Sequence, residues 1–168
     1  MRTAVAQLIR LALAGLATLM LCTACASDPL PVADTADLDL SDPDQVITDA
    51  LTAMFTWNPA QENSPDVAYR RAGVYLTGDL ANQADQMTTP GPGSQWDQWR
   101  SEHASITAKV YFVADETPPD SDDVAHRVAV VIQSVTTPDN RLIDEIRHTV
   151  WVTANKSAGS WRITGIEF

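Results

Sequence analysis

The sequence predicts an α+β domain in which an antiparallel sheet of about four strands packs on N-terminal helices. Three observations carry that expectation. Residues 106–115, 124–136, 143–154 and 160–168 are rich in Val, Ile, Thr, Trp and Tyr and are separated by turn-forming residues, as strands are. Upstream, Val46, Ile47, Ala50, Leu51, Met54 and Phe55 recur at three- and four-residue spacing, the period of a helix with one apolar face. Helices that precede a run of strands favour a packing in which all the helices lie on one face of the sheet. The expected organisation is an export signal over 1–24, an acidic tether over 25–41 and a single domain over 42–168.

The amino terminus has the parts of a secretory signal. Arg2 and Arg10 supply positive charge, Leu11 to Leu21 is apolar, and small residues follow. The uncharged run from Leu11 to Ala26 is 16 residues. A helix needs roughly 20 to cross a bilayer, so cleavage is expected rather than permanent insertion. Two cut sites compete. Thr23-Ala24-Cys25 resembles the end of a bacterial lipobox, after which Cys25 would be lipidated on sulfur and become the first residue. Ala24-Cys25-Ala26 also fits the small-x-small pattern of ordinary signal peptidase, which would release the chain from Ser27. Cys22 stands where a lipobox usually has Leu, and Leu21 before it makes Cys22 the poorer acceptor. The expected lipidation site is Cys25, and two or more acyl chains hold a protein on a membrane where one holds it weakly. No Cys follows residue 25, so the domain has no internal disulfide, thiol nucleophile or Cys-ligated metal.

Ser27 to Ser41 contains Asp28, Asp34, Asp37 and Asp39, two prolines and no basic residue, which is the composition of an extended spacer. The first helix opens at Asp42-Pro43-Asp44-Gln45, where Asp42 can cap, Pro43 suits the first helical position and Gln45 completes a capping-box-like pair. Trp57-Asn58-Pro59 ends it. Ser64-Pro65-Asp66 opens a second helix, capped by Ser64, with Tyr69, Ala72 and Leu76 on its buried side. A third is expected over 79–87. Ser94 is expected to cap a fourth, short helix carrying Trp96 and Trp99.

In the first strand Ile106, Ala108, Val110 and Phe112 share one face, opposite Thr107, Lys109 and Tyr111. The acidic loop 116–123, with two prolines, should be exposed. The second strand is apolar on both faces and therefore central. If Asp139-Asn140 forms a two-residue turn, facing residue numbers on the second and third strands sum to about 279, which sets His148 opposite Val131. In the last strand Trp161 and Ile163 share a parity that Ile166 and Phe168 do not, and a bulge at Gly165 would reconcile them.

At 168 residues and 45% apolar content the chain suffices for one globular domain. Its formal charge is −11. Loss of residues 1–24 leaves nine basic residues against 22 acidic ones, a charge of −13. A polyanion of that strength is repelled by nucleic-acid phosphates, so no nucleic acid is expected as a partner.

This order of elements resembles the nuclear-transport-factor-2-like, or ketosteroid-isomerase-like, cone fold, in which helices lie in the hollow of a curved sheet. The ending Gly159-Ser160-Trp161-Arg162-Ile163-Thr164-Gly165-Ile166-Glu167 is similar to the closing hairpin common there. Ala50 to Leu76 also resembles small exported actinobacterial proteins of this fold, including those associated with mammalian-cell-entry lipid importers. The resemblance implies a cone-like α+β domain over Asp42 to Phe168. It does not choose among the isomerases, dehydratases and non-enzymatic modules that the fold hosts. A ketosteroid-isomerase-like site would need an acid or base at the bottom of an apolar hollow with oxyanion donors nearby. Tyr69, Trp99, His103, Tyr111 and Arg127 are the candidates to line such a pocket. No catalytic motif of the family carries over residue by residue, so no catalytic residue is assigned.

His103, His126 and His148 show no H-x-H or H-E-x-x-H spacing, and the register separates His126 from His148 by several residues. No metal and no cofactor are implied. The five tryptophans, Trp57, Trp96, Trp99, Trp151 and Trp161, are expected to pack between helices and sheet. The alternative is an aromatic patch for a protein or an apolar ligand. The expected function is that of an exported, lipid-anchored envelope protein with a non-catalytic accessory domain. Its partners would be the membrane, through the lipid, and an envelope protein. The alternatives are a carrier of a small apolar molecule, or an isomerase or hydrolase using the cone pocket. A hollow filled by Met54, Phe55, Trp99 and Phe112 favours the first. An open one of several hundred Å³ lined by Tyr and His favours the others.

Intact-mass measurement of the membrane-extracted protein should show a chain that begins at Cys25 and carries acyl groups, and Cys25→Ser should leave the membrane fraction. A soluble wild-type chain beginning at Ser27 would select the other cut site.

Overall fold

The computed structural model describes residues 38–86, 93–114 and 117–168. The expected export signal, Cys25 and most of the expected acidic tether lie outside the described residues. Helices α1 (Pro43–Phe55), α2 (Asp66–Ala72), α3 (Gly78–Gln86) and α4 (Ser94–Ser101) precede strands β1 (Ser105–Phe112), β2 (Val124–Thr136), β3 (Leu142–Ser157) and β4 (Ser160–Glu167). The strands form one antiparallel sheet in the order β1-β2-β3-β4, curved and unclosed, so the fold is mixed α+β as the sequence predicts. Among the described residues no helix is long and apolar enough to cross a membrane.

Helix α1 supplies the core. Asp42 caps it by accepting the Asp44 N–H at 2.9 Å, and Pro43 occupies the first turn. The six residues of its apolar stripe are all buried, and they meet Ala129, Val131, Val150, Val152, Ala154, Trp161 and Ile163 of the sheet. Each large side chain so buried contributes roughly 1.5–3 kcal/mol of transfer free energy. The capping box does not close: Gln45 instead donates to Asp49 Oδ1 at 2.7 Å, one turn along the exposed side. Ser64 Oγ accepts from the Asp66 N–H at the start of α2. Ser94 makes no capping bond, and Gly93, at φ 61°, occupies the cap position of α4. Trp96 and Trp99 on α4 pack with Ala104, Ile106, Val135 and Trp57 into a second apolar cluster. Trp57 also bridges in antiparallel fashion to Ile106, which ties the end of α1 to the start of β1.

The β2–β3 register is the one expected from the sequence, with Val131 opposite His148. The turn differs. Thr137 pairs with Arg141 around the three residues Pro138, Asp139 and Asn140, and Asn140 takes φ 61°. The register then shifts by one between Val135 and Thr136, leaving Ile143 unpaired and restoring the expected alignment. Strand β3 runs further than 154 because the last turn is tight: Ser157 faces Ser160 across Ala158 and Gly159, at φ 51° and 83°. Two positive-φ residues between paired strands form the turn that suits a twisted hairpin. The bulge near Gly165 is present. Thr153 faces Gly165 and Ala154 faces Ile163, so Thr164 is the extra residue and both Ile163 and Ile166 point to the core.

Leu51→Ala should lower the unfolding free energy by about 2–5 kcal/mol, read as a lower urea midpoint at an unchanged slope. Gln45→Ala, on the exposed side of the same helix, should change it by less than about 0.5 kcal/mol.

Candidate functional site

Alternation along the strands gives the sheet two faces with different fates. The inner face carries Ile106, Val131, Val135, Val150, Val152 and Ile163 and is covered by α1 and α4. Gln133 also points inward and is fully buried. Its Nε2 donates to the Phe55 carbonyl at 2.7 Å. A carbonyl can only accept, so Gln133 Oε1 is left to accept from His148 Nε2–H at 2.9 Å. That fixes the neutral His148 tautomer, with its ring 4.9 Å from that of Phe55. Burial lowers the His148 pKa below its ordinary value.

The five pocket candidates are not brought together. Tyr69 packs at the edge of the main core, where burial raises its pKa. Trp99 is buried in the second cluster. His103 follows α4, exposed, at φ 51°. Tyr111 lies on the outer face opposite Val130 and is half exposed. Arg127 sits at the start of β2, held by Asp44 Oδ1 at 2.6 Å and by both oxygens of Asp120 at 2.7 and 2.8 Å. The Asp120 hydrogen bonds, then Asp44, hold its guanidinium protonated more firmly than usual, and the same bonds lower the Asp120 pKa. Strand parity sets Tyr111 on the outer face, Trp99 and His103 belong to α4 and its end, and α1 fills the inner face between them and Arg127. Met54 is fully buried, and Phe55 and Trp99 nearly so. Phe112 is the exception among the expected fillers: it stands at the end of β1, 37% exposed.

Two surface cavities are formed by residues that the sequence reading did not group. One, of about 380 Å³, lies between α4 and the start of β3, lined by Gln95, Gln98, Trp99, Glu102, Arg141 and Asp144 among others. Gln95 Nε2 donates to Asp144 Oδ2 at 3.1 Å across it. The other, of about 230 Å³, opens on the outer face among Pro118, His126, Val128, Trp151, Thr153 and Glu167. His126 and His148 lie on opposite faces of the sheet, because their partners Thr153 and Val131 do. His126 Nδ1 is 3.2 Å from Thr153 Oγ1.

Among the described residues no helix lies on the outer face. Tyr111, Val130 and Thr149 form one row across it, Val128, Trp151 and Glu167 a second, and Lys109, Ile132 and Arg147 a third. Trp151 is 48% exposed, whereas Trp96, Trp99 and Trp161 are buried and Trp57 is half-buried. Comparison with protein-family models, with curated proteins and with solved structures finds no match.

His148 makes stability depend on pH. The folded pKa is depressed from the ordinary 6.5, so the neutral imidazole is the form that the fold favours. The contribution is complete above pH 6.5 and is lost as pH falls from there towards the folded value. Urea unfolding at a series of pH values should show wild type losing stability below pH 6.5, and His148→Gln, lacking this titration, losing less over the same interval.

Proposed function

We propose that the chain is an exported envelope protein, anchored by lipid on Cys25, whose folded part is a non-catalytic accessory domain of the cone-like kind that binds a protein partner. The outer face of the sheet is the surface for it. One observation carries the reading: α1 and α4 cover the inner face, while the opposite face presents Tyr111 and Trp151 half exposed beside Val130 and Ile132. Large aromatic side chains on a sheet face are costly to leave in water and are well suited to a protein contact.

Three further features support it. The inner face is filled, so an apolar guest would have to displace Met54 or Phe55. The larger surface cavity is walled chiefly by amides and charged groups, an unsuitable lining for an apolar molecule. Lys109 and Arg147 flank Ile132 at the margin of the aromatic patch and give the contact a polar rim.

The test is affinity capture of the full-length tagged protein from solubilised membranes, with and without Tyr111→Ser and Trp151→Ser together. A partner should copurify with the wild type, and its recovery should fall by at least about tenfold in the double variant, while membrane association is kept. The same set of proteins captured by both forms, or a lipid that extracts with the wild type alone, would overturn the reading.

A further inference from the structure

We propose that the outer-face pocket at Trp151 and Glu167 binds an organic cation, an alkylammonium or guanidinium group. Trp151 and Glu167 are cross-strand partners on β3 and β4, so an indole and a carboxylate stand side by side in one wall. Val128, the opposite neighbour of Trp151, is almost fully buried and forms an apolar floor, and Pro118 closes the side towards the loop. The volume, about 230 Å³, suits one small head group with its adjoining methylenes.

The charges of the wall select the sign of the ligand. Arg127 borders the pocket, but Asp44 and Asp120 both pair with it, so that cluster is net negative. Glu167 has no ion-pair partner among the described residues. His126 turns Nδ1 to Thr153 Oγ1, which occupies one of its ring nitrogens within the wall. An anion would meet Glu167 and a chain of charge −11. A neutral sugar could stack on the indole and donate hydroxyl hydrogens to Glu167, but it would leave the carboxylate charge uncompensated. A cation within about 6 Å of the ring centroid is attracted by the indole face and by the carboxylate together. The overall negative charge also raises the local concentration of cations. Two sources share this chemistry: a small amine, and a Lys or Arg side chain of a protein partner. The second source rests on the partner reading above, whereas the site itself does not.

The experiment follows the Trp151 indole N–H resonance of the full-length chain in a neutral detergent, assigned by its loss in Trp151→Phe. The probes are butylammonium, its neutral counterpart 1-butanol, methyl glucoside and a blocked Gly-Gly-Lys-Gly-Gly peptide. A saturable shift with butylammonium, weakened about threefold to fivefold or more in Glu167→Gln and absent with 1-butanol, is the expected result. Glu167 is exposed, so its amide variant keeps the fold, and a matching spectrum elsewhere checks that. Peptide binding at least about tenfold tighter than butylammonium assigns the cation to a protein side chain, and equal binding assigns it to a small amine. An equal shift with 1-butanol, a stronger one with methyl glucoside, or no effect of Glu167→Gln overturns the proposal. Partner capture that depends on Tyr111 and Trp151, combined with no butylammonium response, removes this inference and leaves the partner reading standing.

Discussion

The burial of one stripe of α1 against the inner face of the sheet is the contact on which the rest of the structure depends. Val46, Ile47, Ala50, Leu51 and Met54 are wholly withdrawn from water. An isolated 13-residue helix is marginal in water, and a four-stranded sheet with a bare apolar face is an aggregation hazard, so neither is stable without the other. The helix is secured at both ends by arginines from distant parts of the chain. Arg127 of β2 reaches Asp44 in its first turn, and Arg71 of α2 donates to the Ala53 and Thr56 carbonyls at its last. The positive group at the carboxyl end satisfies carbonyls that the helix leaves unpaired, as the helix dipole favours.

Inside that apolar contact Gln133 is the polar exception. A buried amide must be satisfied on both sides, and here each side is: nitrogen to the Phe55 carbonyl, oxygen to His148. A slide of α1 by a turn would, besides disrupting the packing of its stripe, strand the amide and the Phe55 carbonyl together, at roughly 1–3 kcal/mol for each unsatisfied group. The polar pair therefore adds a directional restraint on the position of the helix to that of the apolar packing.

Much of this was legible in the sequence because it depends on period. The α1 stripe, the parity of Ile106 against Tyr111 and the bulge before Gly165 follow from spacing, and spacing is local information; the Val131–His148 register follows from an assumed two-residue turn and agrees because the bulge at Ile143 restores the alignment. Details of turns and caps were less legible, because several solutions preserve the same register. Pro138 to Asn140 with a bulge at Ile143 does the work of a two-residue turn, and Gln45 has a choice of partners one turn apart. Spacing does not say which of Tyr69, Trp99, His103, Tyr111 and Arg127 meet, for a third reason: whether a hollow is open depends on the summed volume of side chains from distant segments. Gln133 gave a signal that could have been used: a polar residue at inward parity in an otherwise apolar strand.

The same parity argument bears on what the molecule presents to its surroundings. Of the five tryptophans, Trp96, Trp99 and Trp161 are buried and Trp57 is half-buried at the seam between the two clusters. Trp151 differs because its register position, opposite Val128 and Glu167, places it on the face that none of the described helices covers. Moving the strand by one residue would bury Trp151, but it would also expose Val150 and Val152, so the core sets the direction in which this indole points. Its half exposure is thus a consequence of the register that the core imposes, and the buried half of the ring lies beside Val128. The half that stays in water, next to a carboxylate with no ion-pair partner among the described residues, is where a function separable from folding can reside.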